Sequence, residues 1–231
     1  MKKILLLAAA AVIGLTASAQ FSNSGGSADA ADNSGWNTVY FQYNPMTLHY
    51  KGNNSSDDQS FNGLALGYSH AFALTKSVPI YLETGLAMQY SFWSESDSDG
   101  GEKATSKIQL ASLKVPINFM YKWRIPNSRV DIIPFFGLSL RGNLWGQAKD
   151  EVSYRGEKES NSVNLFSSSD DEMGDYAWKR FQIGWQLGVK ARFIDKILVG
   201  VSYGTDFNKI SGGKDYPGKL RGAEISLGYC F

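Results

Sequence analysis

Nucleophilic catalysis in this chain would have to be built around His49 or His70, the two histidines among its 231 residues. Ser69 stands beside His70, and a serine hydroxyl activated by an imidazole could open an ester. Consecutive strand residues point to opposite faces, so Ser69 and His70 cannot meet directly if that segment is extended. Metal chemistry finds as little to work with. Residues 94–102 hold Glu95, Asp97, Asp99 and Glu102, carboxylates that suit a hard cation, but their order lacks the ligand spacing of a calcium loop. Cys230 is the single cysteine, which excludes thiolate zinc clusters and an intramolecular disulfide. Gly184 and Gly188 recur at strand spacing and form no phosphate loop. These residues predict neither an enzyme nor a cofactor.

The remaining chemistry is electrostatic. Glu83, Lys114, Lys122, Arg141, Arg180, Lys190, Arg192, Asp206 and Glu224 sit among residues that alternate with apolar ones, and so share the polar face of their segments. Six are basic and three acidic. Facing one another across a narrow space, they predict a salt-bridged plug, or else a path that prefers anions. A second group is acidic: 94–106 and 146–178 hold twelve carboxylates, against Lys103, Lys149, Arg155 and Lys158. Charge of this kind keeps exposed loops soluble, and a cation- or ligand-binding rim is the sharper alternative. Over the whole chain 23 bases meet 22 acids. No bulk field favours nucleic acid.

A segment that carries a polar face must hide an apolar one, and period-two alternation does this in a strand. Ile80, Leu82, Leu86, Met88, Tyr90 and Phe92 oppose Tyr81, Glu83, Gly85, Ala87, Gln89 and Ser91, while Phe181 to Phe193 alternate in the same way with Gln182 to Arg192. Strands are predicted near 36–50, 61–73, 80–92, 107–123, 131–145, 181–193, 197–209 and 220–231. Short connections at 75–78, 125–129 and 194–196 alternate with long polar ones at 51–60, 94–106, 146–179 and 210–219. Strands of about a dozen residues with this loop pattern predict an all-β fold: a closed eight-stranded antiparallel up-and-down transmembrane β-barrel, with both termini periplasmic. The bore of eight strands is one that side chains can fill.

Within the fourth strand Ile108 and Leu110 run out of phase with Leu113, Val115, Ile117 and Phe119, which predicts a bulge near Ala111 and Ser112 with Pro116 adjoining it. Aromatic residues fall at two levels: Phe72, Tyr121, Trp123, Phe193, Tyr229 and Phe231 below, and Tyr90, Phe92, Trp93, Trp145, Trp178 and Phe181 above. Both groups are expected in interfacial girdles. Ahead of the strands, Lys2 and Lys3, the apolar run Ile4 to Leu15 and the small residues Ala17, Ser18 and Ala19 read as a signal peptide over 1–19. The Ser-, Gly- and Asn-rich stretch over 20–35 reads as a flexible segment, and 36–231 as the barrel. After the leader no apolar run is long enough for a membrane helix.

The ending Ile225-Ser-Leu-Gly-Tyr-Cys-Phe231 resembles the C-terminal signal of outer-membrane barrels, and Leu113-Lys-Val-Pro-Ile-Asn-Phe-Met-Tyr-Lys-Trp123 resembles a strand of the PorT-like barrels of Bacteroidetes. The resemblance implies a small barrel, of the OmpA or OmpX kind, in the cell outer membrane. It implies contact with outer-membrane lipids and lipopolysaccharide, and insertion by the barrel-assembly machinery through a signal at Tyr229 and Phe231. PorT-like members are associated with a secretion system, a role for which this sequence holds no diagnostic residue. The function expected is envelope structure or surface interaction through acidic outer loops, with no extracellular ligand specified. A narrow anion-preferring pore and a lipid-modifying enzyme are the competing expectations.

Overall fold

Strand alternation and glycine-lined contact between strands produce one closed sheet. The computed structural model describes residues 34–51, 56–99, 102–154, 157–169, 173–174, 177–211 and 217–231. The expected signal peptide at 1–19 and most of the segment 20–35 lie outside the described residues, as do Arg155, Asp170, Asp171, Glu172 and Asp175.

The strands are β1 (Trp36–Tyr43), β2 (Met46–Lys51), β3 (Ser56–Ala73), β4 (Ile80–Asp99), β5 (Glu102–Tyr121), β6 (Trp123–Arg124), β7 (Val130–Tyr154), β8 (Glu157–Asn164), β9 (Phe181–Phe193), β10 (Ile197–Asp206) and β11 (Gly218–Cys230). Strands β1 and β2 form one crossing interrupted at Asn44 and Pro45, because each pairs with β3 on one side and β11 on the other. From β3 the antiparallel order runs through β4, β5, β7, β9 and β10 to β11. The result is a ring of eight crossings with no free edge. The two-residue β6 continues β5 along β7, and β8 adds to the far end of β7.

The outer surface is an apolar belt in which Leu66 is 63% and Phe136 66% exposed, while Tyr81 and Gln182 on the opposite face are fully buried. Water would penalise such a belt, whereas a bilayer covers it. Inside, close approach demands glycine. The Tyr40 ring lies over Gly67, where an added Cβ would stand 2.4 Å from Cζ of that ring.

Three expectations need correction. The segments 94–106 and much of 146–179 are sheet and not loop: β4, β5 and β7 run on past the ring and with β8 form a four-stranded projection, turning at Asp99↔Glu102 and Tyr154↔Glu157. The register does shift at Ala111/Ser112, but the extra residue is Leu144 on β7, since Ala111 pairs with Trp145 and Ser112 with Asn143. Strand β5 keeps its phase there; Ile108 and Leu110 are inward residues that happen to be apolar. Pro116 does not adjoin the bulge. It pairs with Ser139, and the β4–β5 ladder instead skips from Thr84↔Ile117 to Ala87↔Lys114, leaving Gly85 and Leu86 opposite Val115 and Pro116. A residue without an N–H is accommodated by that gap.

Candidate functional site

The interior divides into three layers, each set by what the inward positions of the strands supply. At the short-turn end the layer is apolar and aromatic: Trp36, Tyr81, Met120, Ile133 and Leu198 pack together with Cys230. The Trp36 and Tyr81 rings are 4.7 Å apart. Lys122 Nζ stands 5.2 Å from the Tyr81 ring, and the Arg192 guanidinium 4.4 Å from that of Trp36, so two cations close this end over aromatic faces. Arg192 also donates to Asp131 at 2.6 and 3.0 Å, and Arg124 donates to the same carboxylate at 2.7 and 3.1 Å. Asp131 was not among the sequence candidates. It is the second residue of β7, just before an unbroken apolar run, Ile132 to Phe136, which masks its inward phase.

The middle layer is ionic. Glu83 accepts from Lys190 at 2.5 and 2.6 Å, from Asn118 at 2.8 Å and from Ser69 at 3.0 Å. Lys114 pairs with Glu224 and Arg141 with Asp206. Cavities of about 30 Å³ and 40 Å³ remain beside Gln186. They have room for a water or two, and none for a solute.

Arg180 is a correction: it is not in this layer. Strand β9 begins after it, and its side chain is exposed, donating to the Leu144 carbonyl at 3.1 Å with its guanidinium 4.4 Å from the Phe166 ring. With Arg180 gone and Asp131 added, the interior holds Lys114, Lys122, Arg141, Lys190 and Arg192 against Glu83, Asp131, Asp206 and Glu224. Among the described residues the excess is one positive charge where three were expected.

The third layer is an apolar cork at the opposite mouth. Leu48, Phe61, Leu110 and Leu220 from the strands meet Leu165, Trp178 and Ile210 from the connections. The connections are tied down by main-chain bonds, Trp178 N–H to the Leu165 carbonyl at 2.7 Å and Lys179 N–H to the Ile210 carbonyl at 2.6 Å. Trp93 packs against this cluster and Trp178 is buried in it. Neither belongs to the outer girdle in which it was expected.

Above the cork, cross-strand register sorts the projecting charges by face. Paired residues share a face, so Ser94–Lys107–Lys149, Ser96–Thr105–Glu151 and Ser98–Lys103–Ser153 continue the lipid-facing side, with Lys158 opposite Ser153. The alternate rows, which face the barrel axis, carry Glu95, Asp97, Glu102, Asp150, Glu157 and Glu159, all exposed. Among the described residues no base shares that inner face. The described acids of these two segments are thus divided by face as well as height.

On the outer face, hydrogen bonds from Lys107 at 2.7 Å and Lys149 at 2.6 Å push the pKa of Glu151 down to about 2. Because the folded value is depressed, this contact contributes above the ordinary value of 4.5 and is lost as pH falls through about 2. Carboxyl NMR should therefore find Glu151 titrating near the lower value in the native protein. In the variant carrying Lys107→Ser and Lys149→Ser it should return to about the ordinary value; an ordinary midpoint in both proteins would remove the pairing.

The histidines do not assemble a catalytic pair. Ser69 points inward to Glu83, whereas His70 Nδ1 bonds Asn37 Oδ1 at 2.7 Å. His49 Nδ1 bonds Asp58 Oδ1 at 2.5 Å near the projecting end, and no hydroxyl is hydrogen-bonded to that imidazole among the described residues. Tyr229 and Phe231 are outward and exposed at the short-turn end, where Phe231 exchanges main-chain bonds of 3.0 Å with Asn37.

A family match agrees with this architecture. The family described as outer membrane protein beta-barrel domain matches residues 14–212. Among solved structures, the attachment invasion locus protein Ail of Yersinia pestis, in complex with the heparin analogue sucrose octasulfate, shares 15% identity. That match covers 86% of this chain and 99% of the other, with a TM-score of 0.40. The outer membrane enzyme PagL shares 15% identity over 83% and 97% of the two chains, with a TM-score of 0.40. Neisserial surface protein A shares 13% over 82% and 96%, with a TM-score of 0.34. No curated protein matches the chain.

Proposed function

Because the chain belongs to the outer membrane protein beta-barrel domain family, we propose that it serves the outer membrane as a closed, non-conducting and non-enzymatic barrel that displays its projecting sheet outside the cell. The observation that carries this reading is the three-layered interior. An apolar cork, an ion-paired middle and an aromatic floor fill the bore in series. Each layer alone would block a hydrated ion. The projection is a stiff platform because three of its four strands, β4, β5 and β7, are continuous with the barrel wall and β8 pairs along β7, which suits surface interaction or structural support of the envelope. In this reading the short-turn end is periplasmic, and Tyr229 and Phe231 are presented there to the assembly machinery.

A narrow anion path would need unbalanced positive charge along an open route, and the interior leaves one excess charge and cavities of water size. Planar-bilayer recording tests the choice. The refolded chain should give no steady current, and Arg141→Ala, which leaves Asp206 without its partner, should lower heat resistance without creating one. Large anion-selective currents from the unmodified protein, abolished by that substitution with no loss of heat resistance, would make the barrel a pore.

A further inference from the structure

The side of the projecting sheet that continues the lipid-facing belt changes abruptly from aromatic to basic. Tyr90, Phe92 and Trp145 are outward and exposed. One outward step higher, about 7 Å along the strand, Lys107 and Lys149 stand side by side. Lys103 and Lys158 lie two further steps up, on either side of Ser153 on the same face. A second sector repeats the arrangement on β11, where Lys219 and Arg221 pair in register with His49 and Thr47. Two carboxylates among the described residues share these outward surfaces. Glu151 is bonded to Lys107 and Lys149, and Asp58 accepts from His49 and from Arg221, the latter at 3.0 Å. All six exposed acids of the inner face point away from them.

From this geometry we infer that the outward lysines bind the phosphorylated headgroups of anionic lipids in the leaflet that surrounds the projection. Height selects a lipid over a soluble ligand: a cation directly above an aromatic girdle sits at the level of headgroup phosphate, and its carbon stem can lie along the apolar belt beneath. Charge complementarity supplies the rest, because among the described residues the outward face of the projection carries Lys103, Lys107, Lys149 and Lys158 against Glu151 alone. Glu151 holds Lys107 and Lys149 in place while reducing their net charge, so it should moderate the affinity. The inference rests on the membrane placement of the barrel and is independent of whether its interior conducts.

The test is lipid retention by the refolded full chain in zwitterionic detergent, read by native mass spectrometry with phosphatidic acid or with phosphatidylcholine of the same acyl chains. Phosphatidic acid should be retained about tenfold better, and the variant Lys107→Ser with Lys149→Ser should lose about that factor. Lys103→Ser with Lys158→Ser, which breaks no ion pair, should weaken retention by a smaller factor. Glu151→Gln should strengthen it, an outcome that impaired folding does not produce. Glu95→Ser with Asp150→Ser on the inner face should leave the lipid preference within twofold. Equal retention of the two lipids, or a preference that survives both lysine variants, would overturn the proposal. So would displacement of phosphatidic acid by millimolar inorganic phosphate, which would mark a site for soluble anions. A conducting barrel that still shows the lipid preference would sink the closed-lumen reading alone.

Discussion

Glu83→Ala is expected to destabilise the barrel by about 3–5 kcal/mol, the cost of leaving a buried partner charge uncompensated. The Glu83 side chain is 4% exposed and that of Lys190 12%, so the ammonium cannot recover its hydration without opening the wall. Asn118 and Ser69 lose an acceptor at the same time, which adds unsatisfied donors to the stranded charge. Urea titration of the folded fraction, followed by the migration difference between heated and unheated samples, measures the effect. The variant carrying both Glu83→Leu and Lys190→Met should recover most of the loss, because replacing both partners by apolar groups removes the desolvation penalty along with the attraction. A single variant as stable as the parent would mean that the middle layer fills the bore without holding it together.

The pair also shows what the sequence makes legible. Period-two alternation in β4 and β9 is strict, so Glu83 and Lys190 fall on the polar face of their strands on counting alone, and a closed ring of eight leaves that face nowhere to point but inward. Arg180 fails the same count because strand structure begins one residue later, and a residue outside the ladder is free to turn out onto Phe166. Asp131 was hidden by the opposite circumstance, an apolar run that conceals the period. The bulge announced itself as a break in apolar phase at Ala111 and Ser112, but the phase did not break. Ile108 and Leu110 are apolar and inward because the mouth above them is corked.

Charge sorting on the projection needed one fact that spacing does not contain, the hairpin register. Glu95, Asp97 and Asp99 alternate with serines in plain view. Only the pairing of Ser94 with Lys107, and of Lys107 with Lys149, places the bases on the other face. Register depends on where the strands turn and on the extra residue Leu144, and both are settled by packing across the sheet.

The cork was invisible for a related reason: Leu165, Trp178 and Ile210 lie in connections, where no period marks them as core. Trp178→Ala should therefore have an effect that no sequence pattern anticipates. Removing a buried indole costs about 3–5 kcal/mol, and the ring it removes packs edge-on to Phe61 at 6.5 Å while its main chain bridges Leu165 and Ser211. The loss should be local, because the ring of strands closes without it. Hydrogen exchange at the Leu165, Trp178, Lys179 and Ile210 amides, whose bonds run to Gly146, Leu165, Ile210 and Gly218, should accelerate by about a hundredfold or more. The amides of β4 and β9 should keep their protection. Bilayer current should remain absent, since Glu83, Lys190, Lys114, Glu224, Arg141 and Asp206 still fill the layer beneath. Steady conductance on loss of Trp178 would show that the cork is the sole barrier and that the ionic layer lines a path; exchange rates unchanged at all four amides would show that the connections are held by something other than this ring.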